Sequence, residues 1–547
     1  MHRAAAAFAA TFLLCATARA QAPAPDTELV RERVELLRAS PEPEIDGVRI
    51  AAQRLLSQLY ERRGFALEWT APAASDDLAR AIRDIDADGL DPEDYLRTPL
   101  ERARAAALAP NALAQARVDW DLLQTEALVR LLYHLILGKV DPRTFDANWN
   151  FTREIHRDDP AGFVQSIIDS SEVYARIQRE KPDHDLYRKL VAAYARERAA
   201  AEGWKPVPGG PTLKTGVTDS RVAELRARLV ASGDLEPGAA SGDAYDSAVE
   251  AAVKSFQTRH GLGADGGVGP ATLAALNEPP TARLTQLRVN LERGRSLLHD
   301  LPATFVVVNV AGFEVYFVRD DSVVWRARAQ VGKPYRATPI FRSEMSYLVV
   351  NPTWTVPPGI FANDVLPQQK RDPSTLAKKG LEVVDADGRV VPASSIDWAK
   401  VTPRNFRYML RQPAGPTNAL GRVKFMFPNS HSVYLHDTPS KNLFDRDDRA
   451  FSSGCIRVEN PFELAAYLLE GQKGWSRADL DAAVAAGKTR TITLAQRVPV
   501  LLLYWTAWVE PDGKLQLRRD LYGRDAKVAA ALAEPFHIRR PAANVRR

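Results

Sequence analysis

Residues 304–332 read TFVVVNVAGFEVYFVRDDSVVWRARAQVG, a stretch dominated by β-branched and aromatic residues. Two turn signals divide it, Ala311-Gly312 and Asp320-Asp321. Short runs of Val, Phe, Tyr and Trp between such turns are typical of β-strands. The stretch therefore predicts that a β-rich domain begins near Thr304, with further strands in MSYLVVNPTWTVP (345–357) and SVYLHDT (432–438).

The β-rich domain is predicted over residues 304–500 and is followed by a C-terminal extension over 501–547. Its interval 357–413 is rich in Pro and Lys and has no core periodicity, so we expect an inserted lid over a site, because long insertions in compact domains are often functional. The apolar run Val498–Val509 is shorter than the ~20 residues that span a bilayer and is rich in β-formers, which predicts a buried strand.

Upstream of the β-rich domain, the hydrophobic period is that of a helix. Residues 26–200 are rich in Ala, Leu, Arg and Glu at helical spacing, which predicts a helical scaffold domain. Within it, the segment 120–140 is apolar on nearly all sides and predicts a buried helix whose core positions include Leu122, Leu123, Leu128, Leu131 and Leu132. Residues 201–219 contain three prolines and four glycines and predict a linker.

A small three-helix module is predicted over residues 220–277. Apolar residues at helical spacing define its helices, the third of which starts at Pro270: Val222, Leu225 and Leu229; Val249, Val253 and Phe256; Leu273 and Leu276. A connecting helix over 281–300 leads to the β-rich domain. The expected fold class is therefore multidomain α+β.

The first twenty residues, MHRAAAAFAATFLLCATARA, predict an export signal cleaved after Ala18-Arg19-Ala20. A lipid anchor at Cys15 is the alternative, but Leu14 stands where a small residue would be needed. Cleavage leaves Cys455 as the only cysteine and no integral membrane segment.

Basic and acidic residues are interspersed along the chain, and the net charge is +5 over 547 residues. The sequence has no cluster of positive charge, which argues against a nucleic-acid-binding protein.

The lone cysteine lies in FSSGCIRVEN, residues 451–460. A cysteine attacks as its thiolate, so a catalytic one needs a base or a positive neighbour. His436, 19 residues upstream at the end of a strand-like run, is the candidate base, and Arg457 would supply positive charge or bind a substrate carboxylate. The N–H groups around Gly454 and Cys455 could stabilise an oxyanion. The competing interpretation is a small buried hydrophobe in a core strand, beside Ile456.

Other chemistries lack their motifs. The sequence contains no H-E-x-x-H, C-x-x-C or G-x-S-x-G. The acidic residues Asp445, Asp447 and Asp448 lack the glycine and terminal glutamate of a calcium loop. We expect no metal and no organic cofactor.

The segment ALGRVKFMFPNSHSVYLHDTPSKNLFDRDDRAFSSGCIRVENP (419–461) resembles the L,D-transpeptidases with a YkuD-type catalytic domain, and most of all their YcbB-like branch. Gly332-Lys333-Pro334, NPTWTVPPGI (351–360) and Asn418-Ala419-Leu420-Gly421 add to this resemblance. It implies that Cys455 is the nucleophile, that His436 is its base and that Arg457 shapes the pocket. Tyr434 and Ser452 occupy pocket-lining positions of the motif.

The module at 220–277 resembles the peptidoglycan-binding domains appended to cell-wall enzymes. The resemblance rests on Phe256-Gln257, Gly261-Leu262, the turn Asp265–Gly269 and Thr272. Together the two resemblances imply a periplasmic enzyme whose partners are peptidoglycan stem peptides, with other cell-wall synthases as candidate partners. They also imply inactivation by carbapenems.

The implied reaction forms 3→3 crosslinks between diaminopimelate residues through a cysteine thioester, with release of the terminal D-Ala of a tetrapeptide stem. Water as acceptor would make the protein an L,D-carboxypeptidase.

The sequence departs from the family motif at one position: the family usually has Ser-His-Gly-Cys, whereas this chain has Ser452-Ser453-Gly454-Cys455. The serine at 453 keeps open a third interpretation, a catalytically impaired scaffold that binds peptidoglycan.

Overall fold

The computed structural model describes residues 25–151, 153 and 158–539, so the predicted export signal lies outside the described residues. The chain forms two compact units. The described residues of the first unit are 25–80, 95–130 and 158–176, and those of the second are 81–94, 131–151, 153 and 177–539. The predicted scaffold domain, 26–200, is thus divided between the two units.

The part before residue 201 is helical, as predicted. Its regular elements among the described residues are α1 Pro25–Ala39, β1 Glu44–Ile45, β2 Val48–Arg49, α2 Gln53–Arg62, α3 Pro72–Asp84, α4 Arg97–Ala107, α5 Ala114–Leu137, α6 Pro160–Ile168, α7 Val173–Gln178 and α8 Asp185–Ala200. Single 3₁₀ turns lie at Ile85–Asp88, Pro92–Tyr95 and Pro142–Thr144. The five leucines predicted for the core of α5 are all buried.

A buried carboxylate organises the first unit. Asp121 on α5 accepts hydrogen bonds from the Tyr60 hydroxyl at 2.6 Å and from the backbone N–H groups of Trp69 and Glu68 at 2.8 and 3.1 Å. Burial raises the pKa of Asp121 to about 6, although these hydrogen bonds oppose the rise. The carboxylate therefore fixes the segment after α2 against α5.

The predicted three-helix module contains α9 Arg221–Ala231, α10 Ser247–Arg259 and α11 Pro270–Leu276, with a 3₁₀ turn at Pro237–Ala239. Its predicted apolar residues form one core, with Leu273 partly buried. The Gln257 side chain holds the glycine-rich turn that follows α10 in place. Its amide nitrogen donates to Asp265, Gly267 and Thr272 at 2.7–3.0 Å. Its amide oxygen accepts from the Gly266 N–H at 2.8 Å.

The predicted linker 201–219 is partly built into this module. Val207 and Leu213 belong to its core, and Leu213 forms a β-bridge with Val268. Prolines and glycines prevent helix formation here but do not prevent packing. The connecting helix, α12 Pro280–Leu297, then leads to the β-rich domain.

The β-rich domain begins at Thr304, as predicted. Its first strands are β3 Thr304–Asn309, β4 Glu314–Arg319, β5 Ser322–Gly332 and β6 Phe341–Val350. Both predicted turns are present, and Asp320 and Asp321 adopt positive φ between β4 and β5. A 3₁₀ turn, Pro334–Arg336, separates β5 from β6.

The predicted insertion, 357–413, is part of a small subdomain that has its own core, although its sequence shows no core periodicity. The subdomain contains β7 Trp354–Thr355, α13 Pro358–Ile360, a π-helical turn Phe361–Val365, α14 Leu366–Arg371, α15 Thr375–Lys378, β8 Glu382–Val384, β9 Val390–Val391, a 3₁₀ turn Ala393–Ser395 and β10 Met409–Gln412. Its strands form a four-stranded sheet in the order β7-β10-β8-β9. The subdomain begins before the predicted start, because β7 pairs with β10. Helices of three to six residues are too short to give a readable period, which is why the core was not predicted.

The remaining elements are β11 Val423–Met426, β12 Leu435–His436, a 3₁₀ turn Lys441–Asp445, β13 Ala450–Ser452, β14 Ile456–Val458, α16 Pro461–Leu469, α17 Arg477–Ala485, β15 Arg490–Leu503, β16 Ala507–Val509, β17 Leu515–Leu517 and α18 Arg524–Leu532. The predicted boundary at residue 500 falls inside β15. The run Val498–Val509 forms the end of β15 and all of β16, so it is two buried strands and not one.

The main sheet has nine strands in the order β13-β5-β14-β12-β11-β6-β15-β3-β4, and β4 also pairs with β5. Eight strands are thereby paired in a closed ring. The two faces of β3 pack in different hydrophobic cores. Val306 and Val308 pack in the core of the sheet itself, whereas Phe305, on the other face, packs with residues of α8 and α12. The prediction of a multidomain α+β fold is confirmed. Within the described residues, no helix combines the length and apolar character needed to cross a membrane.

Candidate active site

The candidate site lies where β12 and β14 pair in parallel, with Leu435 opposite Ile456 and His436 opposite Arg457. On the other side of β12, Lys424 of β11 is opposite His436. Because side chains alternate between the two faces of a strand, His436, Arg457 and Lys424 lie on one face, together with Tyr434 and Cys455. Ile456, the residue that suggested a core strand, lies on the opposite face and is fully buried.

The Cys455 thiol is half-buried, and its contacts differ from those predicted. The sulfur donates to the Ser432 carbonyl at 3.6 Å and interacts with the Tyr434 hydroxyl. Among the described residues there is no hydrogen bond between the thiol and the His436 imidazole. The strand register explains the difference, because it sets His436 opposite Arg457, two residues beyond the cysteine.

His436 is buried, and backbone carbonyls surround its ring. The ring Nδ1 lies 2.5 Å from the Asp437 carbonyl oxygen, which can only accept, so this contact favours a proton on Nδ1. The Leu420 carbonyl also interacts with the ring and, like that of Asp437, acts to raise its pKa. Burial lowers the pKa of His436 to about 3, with further lowering by the charges of Arg457 and Lys424. The imidazole is therefore neutral at physiological pH, as a base must be.

The thiol is held in its neutral form in the resting site. Burial raises the pKa of Cys455, and this effect outweighs the lowering by Tyr434 and by the charges of Lys424 and Arg457. Burial likewise raises the pKa of Tyr434. Cys455 and His436 are thus both neutral, and they lie on the same face of the paired strands without a hydrogen bond between them among the described residues.

The turn before the cysteine is fixed by its backbone. Gly454 has φ of +114°, a conformation that L-residues rarely adopt, and its N–H donates to Ser452 Oγ at 3.1 Å. The Ser452 hydroxyl in turn donates to the Cys455 carbonyl at 2.6 Å. The Gly454 N–H is therefore already engaged, which corrects the expectation that it faces an oxyanion. The Cys455 N–H has no partner among the described residues and remains the candidate oxyanion donor.

Ser453, the departure from the family motif, has a defined partner. Its hydroxyl accepts a hydrogen bond from Arg336 at 2.9 Å, and the same guanidinium pairs with Asp364 of the insertion at 2.5 Å. The insertion reaches the site at a second point, because the Trp354 side chain makes a hydrogen bond to the Tyr434 hydroxyl.

Three residues of the site were not predicted from sequence. Lys424 stacks its ammonium on the Tyr434 ring, 4.0 Å from the centroid. Thr338 donates its hydroxyl to the Gly454 carbonyl at 2.9 Å. Asp437 accepts from the Arg422 N–H at 2.8 Å, and any side chain at Gly421 would collide with it. The alternation of side chains along the strand VKFM could have indicated that Lys424 faces the site. No sequence pattern indicates that Thr338 or Asp437 belongs to it.

Three regions of the chain match known protein families. Residues 303–475 match YkuD, the L,D-transpeptidase catalytic domain. Two further families match other parts of the chain: "Scaffold domain" over 54–193 and "Putative peptidoglycan binding domain" over 218–276. The recognition of the YkuD-type and peptidoglycan-binding domains from sequence is confirmed.

Curated proteins that are similar in sequence include a transpeptidase and an amidase. A Haemophilus influenzae "Putative L,D-transpeptidase" is 36% identical over 254 residues, which cover 46% of this chain and 51% of that protein. The amidase "N-acetylmuramoyl-L-alanine amidase CwlL" of Bacillus licheniformis is 39% identical over 98 residues, 18% of this chain and 26% of the amidase. This chain thus spans about half the length of the first relative and a quarter of the second.

Among solved structures, the L,D-transpeptidase (Yku) of Stackebrandtia nassauensis is 14% identical, covering 55% of this chain and 97% of that chain with a TM-score of 0.22. L,D-transpeptidase 1 of Mycobacterium tuberculosis is 16% identical, covering 37% and 61% with a TM-score of 0.16. With TM-scores this low, neither likeness supports a functional conclusion.

Groups of three or more His, Cys, Asp or Glu side chains that could hold a metal ion do not occur in the described part of the L,D-transpeptidase domain or elsewhere in the described chain. The acidic residues 445–448 instead form ion pairs, Asp445 with Arg328 at 3.1 Å and Asp448 with Arg519.

Proposed function

We propose that the protein is a peptidoglycan L,D-transpeptidase of the YcbB-like branch that forms 3→3 crosslinks through a thioester on Cys455. The observation that carries the proposal is the shared face of β12 and β14. There a half-buried thiol lies with a neutral imidazole and two cations. Export to the periplasm and peptidoglycan stem peptides as substrate belong to the same proposal.

In the first half-reaction, His436 Nε2 takes the Cys455 proton as the sulfur attacks the carbonyl between the L-centre of diaminopimelate and the terminal D-Ala. The new S–C bond forms, the C–N bond to D-Ala breaks, and the imidazolium returns the proton to the leaving amine. The Cys455 N–H supports the oxyanion. In the second half-reaction, the side-chain amine of another diaminopimelate attacks the thioester, and the sulfur leaves as thiolate and regains its proton.

The test is muropeptide analysis of the mature protein incubated with disaccharide tetrapeptides. We expect 3→3 dimers and free D-Ala, and neither product with Cys455→Ala. Intact-mass measurement should show a carbapenem adduct on the wild-type protein that is absent in Cys455→Ala. An adduct that persists in that variant, or dimers formed without Cys455, would contradict the proposal.

Two alternatives give different products in the same assay. An L,D-carboxypeptidase releases D-Ala from tetrapeptides without forming dimers, because water replaces the acceptor amine. A catalytically impaired scaffold forms no product but co-sediments with sacculi through residues 220–277. The feature that favoured the scaffold, Ser453, accepts a hydrogen bond from Arg336 and makes no hydrogen bond to the thiol among the described residues.

A further inference from the structure

The side chains around Cys455 have an unbalanced charge. Lys424 is half-buried and forms no ion pair among the described residues; its ammonium rests on the Tyr434 ring at 4.0 Å. Arg457 is bonded to a neutral group, the Gln330 side-chain oxygen, at 3.1 Å, and its Nε has no partner among the described residues. Both cations thus lack a carboxylate.

Buried cations without a counter-charge are unfavourable, because burial removes their hydration. Burial lowers the pKa of both Lys424 and Arg457, and in each the Cys455 sulfur opposes the lowering. The titratable and charged groups that act on the sulfur are Lys424 from β11, Tyr434 just before β12, and Arg457 from β14. His436 of β12 lies on the same face, opposite Lys424 and Arg457. The two cations therefore favour a negative charge on the Cys455 sulfur, which is the thiolate.

We propose that Lys424 is a positioning residue for the proposed thioester chemistry: it holds the Tyr434 ring against the sulfur and stabilises the Cys455 thiolate by its charge. Lys424 does not touch the sulfur. It acts through the ring face at 4.0 Å, while the Tyr434 hydroxyl interacts with the thiol. Such a cation–π contact favours an ammonium or a guanidinium over a neutral side chain.

The proposal rests on the proposed function, but its test does not need transpeptidation. The rate of Cys455 alkylation by iodoacetamide, followed by intact mass between pH 6 and 10, reports the thiolate fraction of the resting protein. In Lys424→Met we expect the midpoint of this profile to move up by about one pH unit, which lowers the rate at pH 7.5 by roughly tenfold. Lys424→Arg should restore the midpoint, and Lys514→Met, an exposed lysine in the β16–β17 turn, should leave it unchanged.

An unchanged midpoint in Lys424→Met would overturn the proposal. So would a rise in KM for tetrapeptide without a shift of the alkylation profile, because the ammonium would then serve a substrate carboxylate. The alkylation profile of Lys424→Met could shift even if the wild-type protein makes no 3→3 dimers. That result would support the role of Lys424 and contradict the transpeptidase proposal. Failure of one proposal can therefore be told apart from failure of the other. Thermal unfolding of Lys424→Met checks that the variant is folded before alkylation.

Discussion

His436 has an environment that keeps it uncharged over the working pH range. Its pKa is about 3 in the folded protein, against about 6.5 for an unperturbed histidine. The unfolded chain therefore binds a proton below pH 6.5 that the folded chain does not bind until about pH 3. This difference makes the folded state less stable as the pH falls through that window, and it has no effect above it.

We expect the wild-type protein to lose more stability between pH 7 and pH 5 than His436→Ala does, by about 2 kcal/mol. Urea unfolding of both proteins at the two pH values measures the difference. Equal losses would show that the imidazole is solvated in the folded state.

His436→Ala should also abolish crosslinking while leaving binding to sacculi unchanged, and full turnover would remove this histidine from the mechanism.

Ser453 occupies the position where the family usually has histidine, and its only side-chain hydrogen bond is the one it accepts from Arg336 in the described structure. Loss of one exposed hydrogen bond costs about 1 kcal/mol or less. Ser453→Ala should therefore retain dimer formation within a few-fold of wild type in the muropeptide assay. A loss of activity comparable to that of Cys455→Ala would instead place the hydroxyl in the proton path.

At the scale of elements, the insertion between β6 and β11 is attached to the site by side chains. Arg336, in the 3₁₀ turn after β5, connects Asp364 of the π-helical turn with Ser453, two residues before Cys455. Trp354 of β7 reaches Tyr434. The predicted lid is thus a folded subdomain with two attachments to the strands that carry Cys455 and its neighbours.

Removal of the first attachment should loosen the insertion. In Asp364→Asn we expect faster amide hydrogen exchange over residues 358–371 and no change in the three-helix module. Asp397→Asn, which breaks an exposed pair with Lys400 inside the same insertion, is the matched control and should leave exchange at 358–371 as in wild type. Unchanged exchange in Asp364→Asn would mean that the subdomain core alone holds the segment.

At the scale of the whole molecule, we expect that a substitution in the three-helix module can change binding to sacculi without changing the proposed crosslinking reaction. Gln257 makes four hydrogen bonds that close the glycine-rich turn after α10, and it is buried. Its loss leaves buried polar groups without partners, at a cost of about 1–3 kcal/mol for each.

Gln257→Ala should therefore weaken co-sedimentation of the full chain with sacculi while dimer formation from soluble tetrapeptides continues. Lys254→Met, on the exposed side of the same helix where Lys254 pairs with Glu250, should leave both properties unchanged. Normal co-sedimentation of Gln257→Ala would show that the module is not the part that binds peptidoglycan.

The sequence alone determined the periodic features of this protein. Helical spacing predicted the buried α5 and the module core, and β-branched runs with Asp320-Asp321 predicted the β3–β5 strands, because local chemistry and alternation are sufficient for such elements. The motif around Cys455 also gave the resemblance to the YkuD-type domain, which the family match over 303–475 supports, because a glycine, a cysteine and an arginine with a histidine upstream are visible in the residue types alone.

Only the tertiary structure decided which groups meet at the sulfur. The register of β11, β12 and β14 brings Lys424 to the site and sets His436 opposite Arg457, and register depends on how separate strands pair. The Ser453–Arg336–Asp364 contact and the core of the insertion likewise depend on tertiary packing. The separations range from the 12 positions between Lys424 and His436 to the 117 between Arg336 and Ser453, so no local pattern could predict these contacts.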